Sequence, residues 1–388
     1  MRFDIVAALP LLATGVAALP KKGQLADIET FSNKIIYTPG DDFTDPGVLY
    51  ARTALLNDSV LLATWENYSP EPPLVSFPIY RSEDNGQSWE EISRIEDQVN
   101  DWGLRYQPQL FELPSPIGDF PAGTILCAGN SIPTDLSQTQ IDLYASTDGG
   151  YTWEFLSHVV AGGEALPENG LTPVWEPHML VYKDQLVLYY ADQKDPDHGQ
   201  KMSHQVTSDL LTWEDPVDDV AYDEYTARPG MPSVTLLPNG EYLFAYEYGG
   251  GPVGDGGDGG YHFPIFYRLS ADPLDFNSSE GLPVTADDGT TIPTSSPYVT
   301  WSPVGNAENG TIVLSANSHS DIFVNQALGA VDAWRRVPTE EDTSYTRHLR
   351  ILSDPKYLLI IGAGQLPPSD SNTVHLGVMD LEQALLDL

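Results

Sequence analysis

The sequence contains one cysteine in 388 residues, Cys127, so no disulfide can form within the chain. Cys127 lies in the apolar stretch GTILCAGN and reads as a small core residue rather than a nucleophile. Basic residues are scarce: 18 Lys and Arg face 56 Asp and Glu, a net charge of −38. Such a surface repels phosphate backbones and excludes nucleic acid as a partner. It favours a soluble monomer, and its self-repulsion relaxes in an acidic medium, which points to an extracellular life at low pH. Beyond the N-terminal segment, no apolar run reaches the roughly 18 residues that span a bilayer, so no membrane partner is expected. Helical periodicity is missing outside the final LEQALLDL. The eight histidines form no HExxH pair, and there is no GxSxG elbow. GGGPVGDGGDGG (249–260) lacks the Lys-Ser/Thr of a phosphate loop and the closing glutamate of a calcium loop. No metal or other cofactor is expected.

What is present is 41% apolar residues, enough for a sizeable packed core. MRFDIVAALPLLATGVAALP begins with Arg2, continues as a short apolar segment and ends in small residues. It reads as a secretory signal, 1–18, cleaved near Ala18. Four glycosylation sequons, at Asn57, Asn67, Asn277 and Asn309, agree with a secreted glycoprotein.

The corner SEDNGQSW (82–89) recurs as STDGGYTW (146–153), then more weakly as TSDLLTW ending at Trp213, SADPLDF ending at Phe276, and an eroded copy at Trp334. Asp84 and Asp148 would accept backbone amides, the glycine would supply positive φ and the tryptophan would pack back, so both acids read as structural. A strand-rich period of about sixty residues predicts propeller blades, and about 370 residues after the signal make six. Six apolar hairpins agree, with turns such as Lys183-Asp184 and Asn309-Gly310. The sixth lacks a corner, and KIIYT (34–38) is expected to supply its outer strand and close the ring. The expected fold is all-β: one six-bladed β-propeller catalytic domain over 19–388.

In a propeller, the start of each innermost strand and the end of the next meet at one face. The strand starts offer Arg52, Gln107, Glu176, Met231, Trp301 and Arg347; the ends offer Glu66, Asn67, Asn130, Asp192, Glu247, Asn317 and His319. Glu176 and Glu247 open and close strands of adjacent blades, so both are expected in one funnel. Two carboxylates across a pocket are the apparatus of glycoside hydrolysis. Trp175, Tyr246 and Tyr248 are expected as their apolar setting and as a stacking wall for sugar. His178 is expected to orient neighbours, and the glycine-rich stretch to form a mobile loop beside Glu247.

The repeated Ser-x-Asp-x-Gly-x-x-Trp corners resemble the Asp-boxes of sialidase-like propellers. VWEPHM, followed about seventy residues later by FAYEYGG, together with WENYS (65–69), RYQPQ (105–109) and ARPGMPS (227–233), resembles glycoside hydrolase family 93 over nearly the whole chain. That resemblance implies a secreted, retaining exo-α-1,5-L-arabinanase that releases arabinobiose from the non-reducing end of plant cell-wall arabinan, a neutral polymer. It implies Glu176 as nucleophile, Glu247 as acid/base and Tyr345 near the anomeric centre. Arg52, Asn67, Gln107, Trp175, Arg228, Tyr248 and His319 are candidate sugar binders. Two other readings stay open: a sialidase or another exo-glycosidase of this superfamily, and a non-catalytic carbohydrate-binding propeller. The early Arg-Ile-Pro signature of sialidases is absent.

Overall fold

A computed structural model describes residues 28–252, 260–369 and 371–386. The expected signal segment lies outside these residues, as does 253–259 of the glycine-rich stretch. The described chain forms six four-stranded antiparallel sheets. It is a six-bladed β-propeller.

Five sheets use consecutive strands. Blade 3, for example, runs Val174–Tyr182, Gln185–Asp192, Lys201–Thr207 and Val217–Val220 from the axis outwards. Its first turn is two residues long, and Lys183 and Asp184 both have positive φ, the backbone twist that suits a tight hairpin. The sixth sheet takes its innermost three strands, His348–Ile351, Tyr357–Gly362 and Val374–Asp380, from the end of the chain and its outermost, Phe31–Tyr37, from the beginning. The expected closing strand is therefore found.

The inner strands are apolar on both faces because each blade is covered on both sides. Leu186, Leu188 and Tyr190 point to one neighbour, and the alternating Val187 and Tyr189 point to the other. The result is six apolar clusters, one between each pair of adjacent blades. Cys127 is buried in one of them.

The corners staple these seams. Asp84 accepts hydrogen bonds from the Ser88 amide (2.8 Å) and the Ser82 hydroxyl (2.8 Å), and Trp89 Nε1 closes the turn onto Gly86 O (3.0 Å). The second corner is built likewise around Asp148. Trp153 Nε1 also donates to Ser93 Oγ (3.2 Å) of the preceding blade, and Trp213 Nε1 to Ser157 Oγ (3.0 Å). In the eroded fifth corner Asn325 replaces the acid, taking the Ala327 and Gly329 amides at 2.9 and 3.0 Å. Replacing Asp84 with Ala strands several of these donors and is expected to remove about 1–3 kcal/mol of stability. Urea denaturation checks this, and an unchanged midpoint would contradict it.

Candidate active site

The funnel is shaped by a defect repeated around the ring. Near the start of each innermost strand one non-glycine residue adopts positive φ: Tyr50 (55°), Gln107 (60°), Glu176 (64°), Met231 (59°), Ser296 (53°) and Thr346 (60°). In blades 1 to 4, two residues there oppose one on the partner strand, as where pairing jumps from Trp175↔Ala191 to His178↔Tyr189. These are β-bulges, which re-aim side chains. In blades 2 to 5 the next residue is proline (Pro108, Pro177, Pro232 and Pro297), which has no N–H to leave unpaired.

The bulges are wired to one another. Glu66 Oε1 accepts the Gln107 amide at 2.9 Å, Gln107 Oε1 accepts the Glu176 amide at 2.9 Å, and Glu176 Oε2 accepts the Met231 amide at 2.5 Å. Glu247 Oε2 accepts the Ser296 amide at 2.7 Å. Each bond crosses from one blade to the next. Tyr50 and Met231, from opposite blades, meet across the axis with Oη and Sδ 3.8 Å apart and floor the funnel.

Glu176 and Glu247 stand over this floor, each 8% exposed. Gly230 lies between them: a Cβ built there would be 3.2 Å from Glu176 Oε2 and 3.7 Å from Glu247 Oε1. The two oxygens are thus no more than about 7 Å apart, a spacing that places one glycosidic bond within reach of both. Burial pushes both carboxyls well above their ordinary range. Glu247 is raised further by the charge of Glu176; both acids are partly relieved, Glu176 by the Met231 amide, Arg228 and Arg52, and Glu247 by the Ser296 amide, the Ser295 hydroxyl and Arg228. One acid is therefore held protonated more strongly than its neighbour. Tyr345 faces the same hollow; after burial, Glu247 and Glu176 are the strongest influences on its phenol.

Arg228 stands at the edge, donating to Asn169 Oδ1 (2.6 Å), Gln193 Oε1 (3.1 Å) and Gln200 Oε1 (2.8 Å), with Glu176 and Glu247 both in electrostatic reach. Asn67 is buried and donates to Ser69 Oγ at 3.4 Å, while its Oδ1 accepts nothing. Buried, it is no open glycan acceptor; Asn309, half-buried, already donates to Gln326 O. Asn57 and Asn277 are the exposed sequons.

Several expected rim residues lie elsewhere; at Arg52 the bulge is the reason, since one extra residue turns the next side chain to the other face. Arg52 is buried, with Nη1 donating to Ala51 O (3.0 Å) and Thr346 O (3.2 Å) and its guanidinium 3.9 Å from the Tyr50 ring. Tyr50 takes its expected place. Arg347 is fully buried, with its guanidinium bonded to His319 O and Thr339 Oγ1 between blades 5 and 6, and Trp301 bonds Asn309 O at the far turn. His319 rests on Ser318 and Phe323; the charges it feels are Arg336, Asp321 and Asp288, away from the acid pair. Trp175 is 7% exposed and bonded to Gln193, Tyr246 is core, and Tyr248 is stacked on Tyr222 at 4.0 Å and 7°. None of these three offers an open ring face. His178 does orient a neighbour, accepting the Val234 amide at 3.1 Å.

Glu66 was a strand end in the sequence and is a third buried carboxyl in the structure. It takes Tyr68 Oη at 2.7 Å, and burial raises it to about 7. Gly230 sits inside ARPGMPS but has no polar group to mark it as a site residue, and Gln200 carried no motif. Among the described residues no cluster of His, Cys, Asp and Glu could hold a metal ion.

No family model and no curated protein matches the chain. Solved structures do. The GH93 α-L-arabinofuranosidase of Fusarium graminearum, seen with arabinobiose, is 54% identical over 91% of this chain and 99% of its own, with a TM-score of 0.89. The chain belongs to glycoside hydrolase family 93. An α-L-arabinanase of Penicillium chrysogenum in the same complex is 52% identical over 92% of this chain and 99% of its own, with a TM-score of 0.88. This family 93 protein is a glycoside hydrolase. A sialidase of Streptococcus pneumoniae, 11% identical over 90% of this chain and 70% of its own with a TM-score of 0.60, shares the fold alone.

Two outcomes follow. Gly230→Val should fill the space between the acids, press on Gln200, whose Nε2 would lie 2.8 Å from the new Cβ, and lower kcat/KM at least about 100-fold; near-normal turnover would refute the geometry. The second concerns pH. Glu66, Asp142 and Glu341 are each raised to about 7 by burial, and a raised acid stabilises the fold only while it keeps its proton. The buried His178 and His348, lowered by burial, are neutral folded or unfolded above their ordinary pKa of about 6.5. Stability is therefore expected to fall as pH rises through about 7, and calorimetry from pH 6.5 to 8.5 checks the sign.

Proposed function

We propose that the protein is a secreted, exo-acting α-1,5-L-arabinanase that removes arabinobiose from the non-reducing end of linear arabinan by a retaining mechanism. The observation that carries this reading is the acid pair either side of Gly230, in unequal surroundings, in a chain more than half identical to enzymes seen with arabinobiose. Glu176, with two arginines near it and the Met231 amide on Oε2, is the nucleophile. Its carboxylate attacks the anomeric carbon while Glu247 gives its proton to the departing glycosidic oxygen. Glu247, now ionised, takes a proton from water, which attacks the anomeric carbon and frees Glu176. The raised pKa of Glu247 suits it to hold the first proton. Tyr345 lies where it can steady positive charge developing on the sugar. The neutral polymer suits a surface of −38. Secretion is supported by the sequence of 1–18.

Debranched arabinan and sialyl-lactose, incubated separately with the enzyme and followed by chromatography, test this reading. Arabinobiose from the first and nothing from the second is expected. Glu176→Ala and Glu247→Ala should each lower kcat at least about 1000-fold, and azide should restore turnover of an activated aryl glycoside to Glu247→Ala. Binding with no turnover in the native protein would instead mark a lectin.

A further inference from the structure

The mechanism leaves the departing polymer without a binder, and the rings first expected to stack on sugar are closed. Among the described residues only three tyrosines are strongly exposed: Tyr151 (51%), Tyr225 (42%) and Tyr261 (51%). Tyr151 belongs to the corner turn of blade 2, on the face opposite the funnel. The other two are at the mouth, in the segments that enter and leave the inner hairpin of blade 4 (Arg228–Leu236 and Tyr242–Gly249).

Tyr261 is held rather than free. Its Oη donates to Thr226 O at 2.7 Å, its ring meets Phe263 edge-on at 5.3 Å and 78°, and its Cε2 would be 2.9 Å from a Cβ on Gly250, which has φ +79°. Gly250 is three residues beyond Glu247 on the same strand end. The charged groups that the Tyr261 phenol feels are Arg228 and Glu247. Tyr225 adjoins Thr226 on the other side: its carbonyl accepts the Gly199 amide at 3.0 Å, and its Oη would be 3.8 Å from a Cβ on Gly170. Arg228 reaches across to Asn169, beside Gly170. Two open aromatic rings thus flank a fixed guanidinium at the lip next to the acid. A rigid exposed ring is the surface against which a sugar face packs at low entropic cost.

We propose that Tyr261, extended by Tyr225, is the platform for the leaving-group portion of the polysaccharide, a neutral furanose chain whose apolar sugar faces stack on the rings. The assignment rests on the reading of Glu247 as the proton donor, because the group that protonates the departing oxygen lies on the departing side. Cleavage of the bond then leaves the shortened polymer, not the disaccharide, on Tyr261.

The test compares debranched linear arabinan with methyl arabinobioside, whose leaving group, methanol, has no face to stack. In Tyr261→Ala the ratio of kcat/KM on polymer to that on the methyl glycoside should fall about tenfold, and in Tyr225→Ala less, about threefold. Tyr261→Trp, which keeps an aromatic face, should restore most of the ratio. A ratio in Tyr261→Ala within twofold of the native value, with melting temperature unchanged, overturns the platform. So does an equal restoration by Tyr261→Leu, since that would show only the need for bulk. If the native enzyme cleaves neither compound, the arabinanase reading falls and this assignment with it; if it cleaves both and the ratio is indifferent to Tyr261, only the platform falls.

Discussion

A backbone amide caught by a side chain of the neighbouring blade is the contact on which the centre of this molecule depends. At Gln107, Glu176, Met231 and Ser296 the chain is bent into left-handed conformation, which costs a non-glycine residue about 1 kcal/mol each. The bend leaves an N–H pointing at the blade before it. Glu66, Gln107, Glu176 and Glu247 receive those amides in turn. Without the acceptors the amides would be buried and unpaired, and without the bends the acceptors would have nothing to hold them. Bend and side chain are stable only together. The same bonds fix the acid pair: one oxygen of Glu176 and one of Glu247 are committed to the scaffold, so their rotamers are set before any substrate arrives.

Charge in the hollow follows from the same arrangement. Three glutamates are buried within a few residues of the axis, and an isolated ionised carboxyl there would be expensive. The amides offset part of that, and Arg228 at the lip and Arg52 below the floor offset more, but neither arginine forms a direct ion pair with the acids. The balance leaves all three carboxyls raised above their ordinary range. A direct salt bridge to Glu176 or Glu247 would have pulled that acid back down.

Much of the fold was legible because it is written in local chemistry. Asp84, Asp148 and their tryptophans announce corners, alternating apolar hairpins announce sheets covered on both faces, and the lone strand at 34–38 answers the unfilled edge of the last blade. The two acids were legible as well, being polar groups at matching ends of apolar strands. Side-chain direction was not. Counting outwards from Arg52 assumes strict alternation, and a two-against-one bulge breaks it, which is why Tyr50 faces the axis and Arg52 lies beneath it. A sign was present: Gln-Pro, Glu-Pro, Met-Pro and Ser-Pro occur at the mouths of four consecutive blades, and a proline within a central strand is at home only where the ladder is interrupted. Openness of an aromatic ring was also hidden. Tyr248 and Tyr261 are alike in sequence, and the positions of Tyr222 and Phe266 decide which one is covered.

The outermost strand of the last blade, Phe31–Tyr37, pairs with Val374–Asp380, and the other five blades lie between them in the chain. Vectorial synthesis therefore produces five blades and an open arc while the first strand waits unpaired. The seam between blades 6 and 1, where Trp65 and Leu376 share one apolar cluster, forms only once the last blade has been made. Contacts of such long sequence separation are slow to form. The enzyme consequently acquires its rigid central hollow in a single late event, and a chain released early would carry both glutamates on a ring that cannot shut.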